Sequence, residues 1–248
     1  MAAKPALFDT YQLEYLVVRT RNELYFRLGP KGDRRARKIF VIGHPRTGTG
    51  SLHRLFLQNG VHSLHSPGNW NTAKYEAFSD RGNYQPFQLF DRYYEDSVFV
   101  LNTRPAYRYV KSRLNQTAKS RQNKQRRSAK FTERNIENEI VRRNNMFLQA
   151  VRHFHGKSNL IVINIERPGA FDFLCGRLGF ENRAEVSKNR SPRQVLSQQD
   201  LHNIDRAFQR LGIEDEKENT FIIPQLLDRR ERHLVDDFLA RPADTVYL

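Results

Sequence analysis

Between Gly43 and Ser51 the chain reads Gly-His-Pro-Arg-Thr-Gly-Thr-Gly-Ser, a run in which glycines and small hydroxyl residues surround one arginine, Arg46. Glycines let backbone N–H groups converge on an anion, and a helix that follows adds the partial positive charge of its N-terminus. The chemistry expected of such a run is phosphate binding. The Gly43-x4-Gly48 spacing opens like a Walker A loop, which needs Lys and then Ser or Thr directly after the second glycine, for the β- and γ-phosphates and for Mg²⁺. Thr49 and Gly50 occupy those two places, and the cation, Arg46, stands two residues ahead of Gly48. The loop is that of an anion site without the lysine of a triphosphate kinase.

Such a loop works only between a strand and a helix. Lys38–Gly43 is a short β-branched run ending on glycine, as buried parallel strands often do. Ser51–Asn59 is expected to be a helix, with Leu52, Leu55 and Phe56 on one face and Gly60 as its stop. Val61–Leu64 reads as a short second strand and Phe87–Tyr94 as a helix. Val98–Thr103 is a second buried strand that runs into Arg104-Pro105, after which Tyr107–Ser112 restarts a helix. Lys119–Arg134 is polar and basic, with Glu133 its only acid. Ile136–His153 is a long amphipathic helix, Leu160–Ile165 a third buried strand, and Gly169–Leu178 the helix after it. Beyond Phe180 two helices are expected, Asp200–Leu211 and Leu226–Leu239, whereas Phe8–Leu28 mixes apolar and charged residues without a clean period. Strands alternating with helices predict an α/β protein, a three-layer α/β/α sandwich with a central parallel sheet. No internal repeat or Gly/Ser linker divides the chain, so one domain over 1–248 is expected, with a core at 38–190 and a helical extension at 191–248.

The chain has 248 residues and a formal net charge of +15. That balance favours anionic ligands, whether nucleotides, nucleic acid, anionic glycans or a membrane surface. The single cysteine, Cys175, allows no intrachain disulfide and sits on an apolar helix face, where burial is expected. No basic-then-apolar leader pattern and no run long enough to span a bilayer is found, so a cytoplasmic protein without a membrane partner is expected.

Pro45-Arg46-Thr47-Gly48-Thr49 with Ser51-Leu52 resembles the 5′-phosphosulfate loop of sulfotransferases that use 3′-phosphoadenosine 5′-phosphosulfate (PAPS). Val98–Pro105 followed by Ser112-Arg113 resembles that family's second motif, an arginine at the end of a core strand with a serine eight residues on. Ile163–Gly169 and then Leu174–Phe180 are similar to its third-strand region. The resemblance covers about 38–190, in order, and implies a P-loop-NTPase-like sulfotransferase architecture. It implies that the backbone from Thr47 through Gly48, Thr49 and Gly50 to Ser51 holds the 5′-phosphate, with hydroxyl contacts from Thr49 and Ser51. Arg46 would reach the oxygen bridging phosphorus and sulfur, and Arg104 and Ser112 would grip the 3′-phosphate, aided by Lys188 or Arg190 from the loop at Ser187–Arg190. One departure is Gly50, which stands where the family has Thr or Ser.

Sulfuryl transfer, like phosphoryl transfer, is an in-line displacement in which the protein positions groups and stabilises charge on the leaving oxygen. Cations of the protein can take that role without a metal, and no His/Cys cluster at zinc spacing is present. An acceptor hydroxyl needs a base. His65 and Asp80 are equal candidates, with His62 behind them and Glu76 a lesser choice. Two other classes compete. A P-loop kinase lacks its lysine and has only Glu166 as an acid at a strand end. A nucleic-acid-binding protein would use the basic stretch Lys119–Arg134, but Phe131 is its lone aromatic for stacking bases. The expected ligands are therefore PAPS, its product PAP, and a small-molecule or saccharide acceptor, with no specific nucleic acid; the oligomeric state is left open.

Overall fold

The structure, a computed structural model, describes residues 10–65, 71–80, 86–123, 131–181, 195–240 and 245–248, with the backbone alone at 10–15 and 121–123. Its centre is a sheet of six strands: β1 (Lys38–Val41), β2 (Ser63–His65), β3 (Ala77–Ser79), β4 (Ser97–Thr103), β5 (Leu160–Asn164) and β6 (Val246–Tyr247). They lie in the order β2-β3-β1-β4-β5-β6, and every neighbouring pair is parallel.

Side chains alternate across a strand, so each strand feeds two cores. Phe40, Phe78, Phe99, Leu101 and Val162 face one side. There they meet Phe26 of α1 (Thr10–Leu28), Phe87 and Phe90 of α3 (Phe87–Tyr93), Phe147 and Phe154 of α5 (Glu133–Phe154), and Val235 and Phe238 of α8 (Arg229–Leu239). Ile39, Val41, Ala77, Val100, Ile161 and Ile163 face the other. They pack on Leu52, Leu55 and Phe56 of α2 (Thr49–Gln58) and on Leu174, Cys175 and Leu178 of α6 (Ala170–Leu178). The α/β arrangement, with a parallel sheet between two helical layers, is as expected from the sequence, and Cys175 is fully buried. A third cluster joins α4 (Ala106–Asn123), α5 and α7 (Gln198–Arg210) through Tyr109, Ile140 and Phe208.

Several elements differ from expectation. The segment without a clean period is a helix, α1, because it carries apolar side chains on its outer as well as its inner face. β3 and β6, of three and two residues, are too short to leave a periodic signal. α4 does not stop at Ser112 but continues to Asn123, so the start of the basic stretch is helical. The rest of that stretch is divided: 124–130 lies outside the described residues, and α5 already begins at Glu133, where the Thr132 hydroxyl accepts from the Asn135 N–H at 3.3 Å. Among the described residues no helix is long and apolar enough to cross a membrane.

Candidate functional site

In a parallel sheet all strands end on the same side, and ligands collect outside those carboxyl ends where the strand order branches. Here the branch is β1, with β3 on one flank and β4 on the other. The glycine loop leaves β1 at that point, beside the residues that follow β3, β4 and β5.

The loop is held from below by β4. The Ile42 N–H still donates to the Val100 carbonyl at 2.8 Å, and the chain then passes Asn102 so closely that a Cβ at Gly43 would stand 2.1 Å from the Asn102 Oδ1. Asn102 Nδ2 donates to the Thr47 carbonyl at 2.8 Å and to its hydroxyl at 2.7 Å, while that hydroxyl donates to the His44 carbonyl at 2.6 Å. Arg104 Nη1 donates to the Arg46 carbonyl at 2.7 Å. Two loop residues take left-handed backbone: Gly48 at φ 93° and, less usually, Arg46 at φ 76°. Gly48 also lacks room for a side chain, since its Cβ would fall 1.8 Å from Ile165 Cδ1.

This geometry narrows the cradle. The Thr47 N–H turns inward to the His44 carbonyl at 3.2 Å, and the Ser51 N–H bonds back to the Gly48 carbonyl at 3.0 Å. The N–H groups of Gly48, Thr49 and Gly50 find no acceptor among the described residues. Of the expected run from Thr47 to Ser51, its three central donors are therefore available at the first turn of α2, and the outer two are used by the loop itself. Thr47 is a buried anchor, and the Thr49 hydroxyl donates to Asp80 Oδ1 at 3.4 Å.

Cations gather around the cradle. Arg46 Nε donates to Ser112 Oγ at 3.1 Å, which brings together the cation of the first motif and the hydroxyl of the second. Burial, then Arg104 and Arg113, lower the Arg46 pKa below the usual arginine value, with Asp80 opposing them. Arg104 divides its fork between the Arg46 carbonyl and a short contact with Glu166 Oε1, and the second Glu166 oxygen pairs with Arg108 at 3.2 Å. Arg113 pairs with Glu139 at 3.4 Å, and Glu139 also accepts from the Tyr109 hydroxyl. Arg104 thus ties the ends of β4 and β5 to the loop, rather than standing as an isolated anion ligand.

The candidate bases separate by position. Asp80 follows β3 directly, in left-handed backbone at φ 71°, and reaches the loop through Thr49. His65 ends β2, one strand further out, and hydrogen-bonds with Ser79 Oγ at 2.9 Å next to Asp80. Its ring stacks on His53 of α2 with centroids 5.3 Å apart, and burial, then His65 and Arg54, hold the His53 pKa below the usual histidine value. His62 does not lie at a carboxyl end. The register pairs Ser63 with Ala77, so His62 precedes β2 at the opposite edge, where its N–H donates to Glu76 Oε2 at 2.9 Å. His62 and Glu76 are therefore remote from the loop by the length of the strands.

Lys188 and Arg190 lie outside the described residues. Asn102 and Glu166 carry more of the site's architecture than the sequence reading assigned them. The signal for Asn102 was a polar residue closing an apolar strand; for Glu166 the partners come from β4 and α4, far away in sequence. Among the described residues no group of three or more His, Cys, Asp or Glu is placed to hold a metal ion. Comparison with protein families, curated proteins and solved structures finds no match to this chain.

Proposed function

We propose that this chain is a sulfotransferase with a P-loop-like architecture, moving a sulfuryl group from PAPS to a hydroxyl or amine of a small-molecule or saccharide acceptor. One observation carries the reading. Three N–H groups without an acceptor among the described residues, those of Gly48, Thr49 and Gly50, share a helix start with Arg46, while Thr49 occupies the place of the kinase lysine. Of the acids that follow the strands at this end of the sheet, Glu166 is engaged by Arg104 and Arg108, and Asp80 accepts from the Thr49 hydroxyl.

In this reading the 5′-phosphate sits on the three N–H groups at the positive end of α2. The acceptor oxygen attacks sulfur in line, a new oxygen–sulfur bond forms, and the bond from sulfur to the 5′-phosphate oxygen breaks. Negative charge grows on that oxygen, and Arg46 with the helix start stabilises it. The acceptor proton passes to the Asp80 carboxylate or the His65 imidazole and then to water. A 3′-phosphate would draw on Arg104 and Ser112, in competition with Glu166 for the Arg104 fork.

The test compares ligands on the wild-type chain by calorimetry. PAP is expected to bind without added metal and more tightly than 5′-AMP or ATP. Magnesium-dependent ATP binding that exceeds PAP binding, or ATP turnover, would turn the assignment towards a kinase.

A further inference from the structure

Of the seven large hydrophobic side chains exposed among the described residues, five lie on α1: Leu16, Val17, Leu24, Tyr25 and Leu28, at 56%, 59%, 52%, 42% and 78% exposure. Their placement on the helix is ordered. At about 100° per residue, Val17, Leu24 and Leu28 fall within about 40° of one another and form a ridge. That ridge lies opposite Asn22 and Phe26, which are buried against the body of the protein. Phe26 meets Phe90 with ring centroids 4.8 Å apart and Tyr93 at 5.6 Å, so the inner face is already satisfied. Arg21 flanks the ridge on one side and Arg27 on the other, both exposed. Arg21 leans over the Tyr25 ring, 6.0 Å from its centroid.

We propose that the outer face of α1 docks on an anionic lipid bilayer, with Val17, Leu24 and Leu28 entering the acyl boundary and Arg21 and Arg27 at the headgroup level. A narrow aliphatic ridge between two arginines suits that boundary, because long cationic side chains keep their charge in the headgroups while their stems lie along apolar surface. The charges argue against a second copy of this chain as the occupant. Pairing two such faces would bring Arg21 and Arg27 against their own kind. The only acid on α1 whose side chain is described, Glu23, sits on the inner flank and is held by Arg19 at 3.3 Å. An anionic surface answers both the ridge and the flanks. It goes beyond the proposed chemistry and does not depend on it, and it departs from the sequence expectation of no membrane partner; a helix lying on the surface needs no spanning segment.

Vesicle flotation tests it with the full chain. Vesicles of phosphatidylcholine alone are compared with vesicles carrying about 30% phosphatidylserine, at about 0.15 M salt, where surface attraction is already screened. Wild type is expected to float with the anionic vesicles. A Val17→Ser/Leu24→Ser/Leu28→Ser variant, which keeps every charge, is expected to lose at least about tenfold in partitioning. Arg21→Glu/Arg27→Glu is expected to lose binding as well. Far-UV circular dichroism and an unchanged melting temperature show that each variant is folded. The proposal is overturned if wild type stays with the unbound fraction, or if the serine variant floats as well as wild type. Sedimentation showing a dimer that the serine substitutions abolish would overturn it in favour of a second copy.

Discussion

Arg46 sits at φ 76°, a backbone conformation that costs a non-glycine residue about 1–2 kcal/mol. The Arg104 fork on its carbonyl and the Asn102 clamp on Thr47 over-determine the turn, so the strain is held where the ligand is expected to bind. Two predictions follow at this scale. Arg46→Gly is expected to unfold at the same or a higher urea midpoint than wild type, while its affinity for PAP falls at least about tenfold with loss of the guanidinium. A destabilised Arg46→Gly would show that the turn is not strained. Gly48→Ala meets two obstacles, the φ of 93° and the 1.8 Å approach to Ile165 Cδ1. Its expected cost exceeds about 1 kcal/mol in urea unfolding, and adding Ile165→Val recovers part of it, because the overlap with Cδ1 goes while the 3.0 Å approach of Cγ1 and the left-handed backbone stay. The loop was legible in the sequence because glycines, hydroxyls and a cation lie within nine consecutive positions. Asn102, Glu166 and the His53–His65 stack were not, since each acquires its role from a partner on another strand or helix.

Arg143 shows how elements are fastened behind the loop. It projects from α5 into the interior, fully buried, and donates to the carbonyls of Phe221 at 2.6 Å, Arg104 at 3.1 Å and Asn219 at 3.4 Å, with its guanidinium 4.7 Å from the Phe147 ring centroid. Burial lowers its pKa to about 10, so it remains charged at neutral pH. One side chain thereby links α5, the end of β4 and the segment ahead of α8. Arg143→Met is expected to cost about 2–4 kcal/mol in denaturant unfolding, as the carbonyls of Phe221 and Arg104 lose a charged donor while that of Asn219 keeps the Ala106 N–H. A change below about 1 kcal/mol would mean that water or backbone shifts replace the contacts. The strands β1, β4 and β5 were legible because central parallel strands are continuous apolar runs. The same logic hid β3, β6 and α1: two are shorter than any period, and the third is apolar on two faces.

Across the whole molecule, one buried and two half-buried histidines tie stability to pH. His44, at the root of the loop, is fully buried between Tyr109 and Phe147, and neither ring nitrogen has a hydrogen-bond partner among the described residues. Burial, then the guanidiniums of Arg142, Arg113 and Arg143, hold its pKa well below the usual histidine value; the Arg142 backbone, outside hydrogen-bond geometry, opposes them weakly. His53 and His153 are lowered too, each mainly by burial. In the folded state these rings take up their protons at lower pH than in the unfolded chain, so the unfolded state binds more protons as pH falls below about 6.5. Unfolding free energy is therefore expected to decline from pH 7 to pH 5, with the fully buried His44 adding up to about 1.4 kcal/mol per pH unit and His53 and His153 acting in the same direction. His44→Phe is expected to flatten that decline; an unchanged slope would place the protonation elsewhere.

The central claim is that the cradle of α2 and its arginines hold a 3′,5′-bisphosphorylated nucleotide. Calorimetric titration of PAP into wild type, Arg46→Ala and Arg104→Ala tests it most directly. One metal-independent site in wild type, weakened at least about tenfold in both variants, is the predicted result. No binding to wild type, or undiminished binding in either variant, would contradict it.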